Sequence, residues 1–223
     1  MKQLALALAS PPPPTLDNFV VGENAEVVAA LRALAQGDGR ERFMYLWGAH
    51  GSGRTHLLSA VLQRFRERGR TVWLNEAVAG TVAADDVVGR DDVQDLDAAA
   101  QIGLFNIFNE LKAGTGVLVT TGDVPPARLP LRPDLLTRLA SGLVYEVHAL
   151  SEDDRRAALR DYAAARGFKL PVEVADYLLA RAPRDLSSLR ALVDTLDRLS
   201  LEQKRAVTVP LARELLQSVP PRT

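Results

Sequence analysis

Apolar and polar positions along this chain follow two regimes. Up to about residue 150, short continuous apolar runs alternate with stretches of helical period; beyond it only the helical period remains. The first run is Phe43-Met44-Tyr45-Leu46-Trp47, and Thr71 to Asn75, Val117 to Thr121 and Leu143 to Val147 are further runs of strand character. Between them, helices are predicted from about Asn24 to Ala35, after Gly53 with Leu57, Leu58, Val61, Leu62 and Phe65 on one face, from Asp97 to Lys112, and from Asp134 to Leu139. Gly69, Gly114 and Gly116 punctuate them. Residues 76–100 fit the pattern least. A buried parallel strand reads as a continuous apolar run; here only Val87 and Val88 qualify, and Gly89 and Arg90 interrupt them, so the strand before Asp91-Asp92 is expected to be broken.

From Ser151 the pattern is helical throughout. Ser151-Glu152-Asp153-Asp154 resembles a capping box that opens a helix ending at Gly167. Pro171 suits the first turn of a second helix, Asp185 can cap a third, and a fourth runs from about Pro210 to Ser218. Strands alternating with helices, then helices alone, predict an α/β nucleotide domain over 15–150 and a small helical lid over 151–223. Residues 1–14 form a tail: Gln3, Leu4, Leu6 and Leu8, then Pro11 to Pro14, which favour an extended spacer.

Composition narrows the picture. The 223 residues carry a net charge of −1, which speaks against a mainly electrostatic nucleic-acid binder. There is no cysteine, so disulfides, thiolate metal sites and cysteine nucleophiles are excluded. No apolar run approaches the ~20 residues of a membrane span. The N-terminal apolar stretch is shorter than the roughly 7–15 residues of a signal peptide's core, and a cytoplasmic location is expected.

The candidate chemistry sits after the first strand. Gly48-Ala49-His50-Gly51-Ser52-Gly53-Arg54-Thr55 reads as a phosphate-binding loop, G-x-x-x-x-G-K-[ST], with Arg54 where lysine belongs. Glycines let backbone N–H groups close around a phosphate at the positive end of the following helix. Gly48, Gly51, Ser52, Gly53, Arg54, Thr55 and His56 are the candidate phosphate-site residues, with Thr55 able to offer a hydroxyl to Mg²⁺. Arginine is a planar fork, lysine a compact charge; the fork pairs with phosphate but follows charge onto a transferring phosphoryl less well. Binding should therefore survive better than hydrolysis. Asp91 and Asp92 stand at an expected strand end, as acids that hold Mg²⁺ and orient water, or as solvated acids at a turn. Arg138 lies on the short helix before the fifth strand, either as a surface residue or as an arginine finger for a neighbour's nucleotide. Three leucines at alternate positions after Gln3 suit a short linear motif for an apolar groove.

Together these marks resemble the Hda family, relatives of the AAA+ domain of the replication initiator DnaA. The resemblance rests on Thr15-Leu16-Asp17-Asn18-Phe19-Val20, Gly51 to Leu58, Asp91-Asp92-Val93, Thr121 to Pro126 and Leu136-Thr137-Arg138-Leu139, with Gln3 to Leu8 similar to the family's sliding-clamp motif. It implies a five-stranded parallel sheet in the order 5-1-4-3-2. It implies a regulator that docks on the sliding clamp of DNA polymerase III through Gln3, Leu4, Leu6 and Leu8, and stimulates hydrolysis of ATP held by DnaA. In that scheme Arg138 acts in trans, Asp91 and Asp92 form a degenerate Walker B pair, and Thr55 with Asp91 would hold Mg²⁺. Phe19 and Val20 match the segment beside adenine, and Asp123 lies near sensor 1.

The resemblance implies ADP rather than turnover, held weakly or not at all, because Ser187 stands where a sensor 2 arginine is usual. Arg184 and Arg190 lie three residues to either side, about 60° off around the helix. No domain for sequence-specific DNA binding is expected after the lid; self-association is left open. The alternatives are an autonomous P-loop NTPase and a helicase-loader-like AAA+ protein.

Overall fold

The computed structural model describes residues 13–218 except 39 and 184. It contains two compact units, one of Pro13–Ala149 and one that begins at Leu150.

The first unit is built on α1 (Ala25–Gln36), β1 (Phe43–Trp47), α2 (Arg54–Glu67), β2 (Val72–Leu74), β3 (Val87–Arg90), α3 (Ala98–Ala113), β4 (Val117–Gly122), α4 (Pro133–Leu139) and β5 (Leu143–Glu146). The strands pair in parallel in the order β2-β3-β4-β1-β5, the expected order read from the other edge. Successive side chains of a strand point to opposite faces, and here both faces are covered. Met44, Leu46, Val87, Val117 and Val119 pack with α1 and α2, whereas Tyr45, Val88 and Leu118 pack with α3 and α4. Burial on both sides is why β1 and β4 read as apolar runs without alternation, whereas the edge strand β5 leaves Val144 and Glu146 exposed.

The expectation of a broken strand before Asp91 is corrected. β3 is continuous from Val87 to Arg90, and Gly89 is a paired member of it. Gly89 is needed there because a Cβ would press into the Leu62 side chain and lie 3.1 Å from Cδ1 of Leu58. Its bare backbone lets α2 settle onto the sheet.

Asn24 ties the start of α1 to the chain after β5. Its side chain donates to the carbonyl of His148 (2.9 Å) and accepts from the His148 N–H (2.8 Å), and the residue is only 2% exposed. Asn24→Ala strands both His148 groups; a loss of about 2 kcal/mol in urea unfolding is expected. A change within 0.5 kcal/mol (roughly the spread of neutral surface substitutions) would mean that water replaces both bonds.

The second unit holds α5 (Glu152–Ala165), α6 (Val172–Arg181), α7 (Leu186–Gln203) and α8 (Val209–Ser218). Ser151 and Asp185 cap α5 and α7 through the N–H groups of Asp154 and Ser188, as their spacing predicts. Leu159, Val174, Leu178, Leu189, Val193, Leu196 and Leu211 form its own core. Among the described residues, no helix is long and apolar enough to cross a membrane.

Candidate nucleotide site

The site forms at the C-terminal ends of the central strands. β1 leads into the loop Gly48–Gly53, and α2 begins at Arg54. Gly51 (φ +80°) and Gly53 (φ +101°) occupy the left-handed region, which side chains with a Cβ resist. The loop is anchored by the Gly48 N–H on the Gly122 carbonyl (3.3 Å).

Two buried polar groups in this loop lack a partner. Ser52 Oγ and Arg54 Nη1 have no hydrogen bond among the described residues, although Ser52 is 4% and Arg54 8% exposed. Buried polar atoms are almost always paired. A phosphate oxygen would supply the missing acceptors, so the residues present fit a phosphate group.

The acidic side of the site comes from β3 and β4. Asp91 leaves the end of β3 with its N–H held by Asn75 Oδ1 (2.8 Å), and Asn75 itself sits at φ +61°. The Asp91 carboxylate accepts from Thr55 Oγ1 on Oδ2 (2.8 Å) and from Thr121 Oγ1 on Oδ1. Thr55 and Asp91, the expected Mg²⁺ pair, are thus brought together; among the described residues no group of three or more histidines or acids forms a metal cluster. When Mg²⁺ is bound, it would neutralise phosphate charge beside these two side chains.

Asp92 takes another course. Its φ is +48°, a conformation Asp tolerates better than most residues, and its N–H donates to Thr121 Oγ1 (2.9 Å). Its carboxylate faces Arg54, with Nη2 to Oδ1 at 3.4 Å. The loop arginine and the second acid therefore neutralise one another in this conformation.

Phe19 lies against the loop: a Cβ on Gly53 would approach its ring to 2.7 Å. The ring also meets His56, centroid to centroid 5.4 Å, and His56 Nε2 lies 2.9 Å from the Thr15 carbonyl. His56 thus holds the arm preceding α1, and Val20 sits half-buried in the same arm. Asp123 is exposed just after β4. It adds to burial in pushing the Tyr45 phenol well above its ordinary range, with Arg54 opposing; the Tyr45 hydroxyl donates to the Val124 carbonyl at 2.6 Å.

Arg138 lies away from these groups, near the end of α4. Its guanidinium stacks over Phe105 and Phe108 of α3, 5.5 and 5.3 Å from the ring centroids. The side chain makes no hydrogen bond or ion pair among the described residues. A cation held over a ring is attracted by the ring's quadrupole, a contact that takes up no conventional hydrogen-bond acceptor for its N–H groups.

In the second unit Ser187 is exposed on α7. Arg190 lies 5.3 Å over the Tyr162 ring, and its Nε is buried without a partner among the described residues. Burial holds its pKa below the arginine range. The Tyr162 hydroxyl donates to Asp194 at 3.0 Å and accepts from Arg166 at 2.7 Å, so Arg190 is packed into a network of its own unit. Arg184, and Gln3, Leu4, Leu6 and Leu8, lie outside the described residues.

Sequence reasoning missed two residues, Thr121 and Asn75. Thr121 closes an apolar strand yet is a polar residue 0% exposed, which is the signal that marks it. Asn75 ends the apolar run at β2, where a left-handed turn favours asparagine.

Comparison with known proteins agrees with this architecture. The model of the Hda lid domain matches residues 152–216. Domain III of the replication initiation protein DnaA of Thermotoga maritima is similar at 25% identity, with 94% of this chain and 98% of that chain covered and a TM-score of 0.74. AMPPCP-bound DnaA of Aquifex aeolicus is 24% identical, with 86% of this chain and 66% of that chain covered and a TM-score of 0.66. Thermotoga maritima RuvB shares the fold at 15% identity, with 92% of this chain and 72% of that chain covered and a TM-score of 0.68. The sheet order and the lid thus agree with an AAA+ fold similar to domain III of DnaA, followed by helices that match the Hda lid domain.

Proposed function

We propose that this protein is a regulator of replication initiation that docks on the sliding clamp through Gln3, Leu4, Leu6 and Leu8 and stimulates hydrolysis of DnaA-bound ATP. The observation that carries this reading is the contrast between two arginines. Arg54 in the protein's own loop is engaged by Asp92, whereas Arg138 presents unpaired N–H donors on an aromatic platform. A guanidinium of the second kind suits the developing charge on another molecule's phosphoryl group. The protein's own nucleotide is ADP, bound weakly and with Mg²⁺ near Thr55 and Asp91, for structural rather than catalytic use. Cytoplasmic location follows from these partners.

The test is to add the protein to ATP-loaded DnaA with DNA-loaded clamp and follow ATP hydrolysis. Stimulation is expected with the full chain and is expected to vanish with Gln3→Ala and Leu6→Ala together, while the circular dichroism spectrum stays unchanged. Absence of stimulation by the full chain, or full stimulation by the double variant, would overturn the regulator or the tail assignment respectively.

A second reading, an autonomous NTPase, is favoured by one feature: Thr55 and Asp91 meet in the arrangement that suits a Mg²⁺ ion. Turnover by the isolated protein with Mg²⁺, abolished by Asp91→Asn, would establish it.

A further inference from the structure

We infer that Asp92 is an affinity-setting residue of the phosphate loop: it competes with phosphate for Arg54 and so sets how weakly the loop holds a nucleoside diphosphate. The inference rests on the proposed reading that the loop binds nucleotide.

The Arg54 side chain is 9% exposed and that of Asp92 44%. Of the two terminal guanidinium nitrogens, Nη2 has an ion contact at 3.4 Å, longer than a well-made charge-assisted hydrogen bond, and Nη1 has none among the described residues. This pairing leaves Arg54 under-satisfied. An arriving phosphate can offer oxygens to both nitrogens as a bidentate partner.

The exchange is lopsided. Asp92 is half-exposed and its Oδ1 also accepts from Gln94 Nε2 (3.1 Å), so it keeps a partner once released; Arg54 is buried, with Nη1 unpartnered among the described residues. Each binding event must nevertheless break the pair first, so affinity is reduced by the fraction of molecules in which it is closed.

The pair is built rather than incidental. Asp92 reaches Arg54 because its backbone adopts φ +48° and its N–H is held by Thr121 Oγ1, the hydroxyl that also donates to Asp91. Thr121 thus assigns separate tasks to adjacent acids: Asp91 is tied to Thr55, and Asp92 faces Arg54. While Asp92 holds Arg54, it is not available as a base for water, which agrees with binding rather than turnover.

Fluorescently labelled ADP in EDTA, titrated into the full chain, tests this. Asp92→Asn is expected to tighten binding about tenfold, equivalent to ~1.4 kcal/mol. Glu76→Gln removes one negative charge from the same end of the sheet, at an exposed residue past the end of β2, and is expected to change affinity less than about twofold, a few tenths of a kcal/mol. Equal tightening by both variants would show a general field effect and overturn the inference. Unchanged or weaker binding by Asp92→Asn, with wild type binding measurably, would overturn it and leave nucleotide binding intact. Absence of binding by wild type and Asp92→Asn alike would overturn nucleotide binding and the inference with it.

Discussion

Replacing Arg138 with alanine is expected to lower the stimulated rate of ATP hydrolysis by about 10³-fold, the low end of what an arginine finger contributes. The change should fall on the rate of the chemical step, measured in a single turnover of ATP pre-bound to DnaA. Clamp binding should not change, because the tail and α4 are separate elements of the chain. The stacking over Phe105 and Phe108 makes a sharper prediction. Arg138→Lys keeps the charge but loses the planar face that stacks and the fork that reads two phosphate oxygens. It should therefore restore less than about a tenth of the lost rate, ~1.4 kcal/mol short of wild type. A loss below about tenfold in Arg138→Ala would remove this residue from the transition state. Full rescue by lysine would reduce its role to a point charge.

Gly48→Ala is expected to be the most damaging small substitution in the loop. The added methyl would collide with the backbone carbonyl of Val147, just after β5, and would also lie 3.1 Å from Ser52 Oγ. Backbone cannot rotate aside as a side chain can, and the Val147 N–H is itself bonded to the Trp47 carbonyl at 2.6 Å. Relief requires β1 and β5 to separate, at a cost of about 3 kcal/mol. Gly51→Ala provides the contrast. Its φ is +80° but nothing lies within 4 Å of the new methyl, so only the left-handed penalty of roughly 1–2 kcal/mol applies. Denaturant midpoints of the two variants should differ in that order. Equal values would mean that the loop moves enough to accept the methyl.

The glycine-rich loop, four of the five strands and the lid helices were legible in the sequence because each leaves a local trace. A strand covered on both faces is an apolar run, an amphipathic helix repeats every 3.6 residues, and the loop glycines stand at fixed spacing. Ser151 and Asp185 cap helices within three residues of themselves, so their roles needed no distant partner.

Gly89 shows where such reading stops. Along the chain it looks like a break in a strand; in the fold it is the place where Leu58 and Leu62 need room. Only the approach of α2 to β3 distinguishes the two.

The sequence by itself therefore determined the order of elements, the phosphate loop with its arginine, and the adjacent acids Asp91 and Asp92. It could not say which acid would serve which partner. The tertiary structure decided that, because β3, β4 and the start of α2 meet at one end of the sheet. There Thr121, 30 residues from Asp91 in sequence, takes hold of Asp91, and Arg54 meets Asp92. Adjacent acids differ by a single step of the backbone, and the turn at φ +48° at Asp92 that separates their directions is stabilised by a hydroxyl from another strand. Hydrogen bonds of this kind carry no periodicity, so no pattern in the chain announces them.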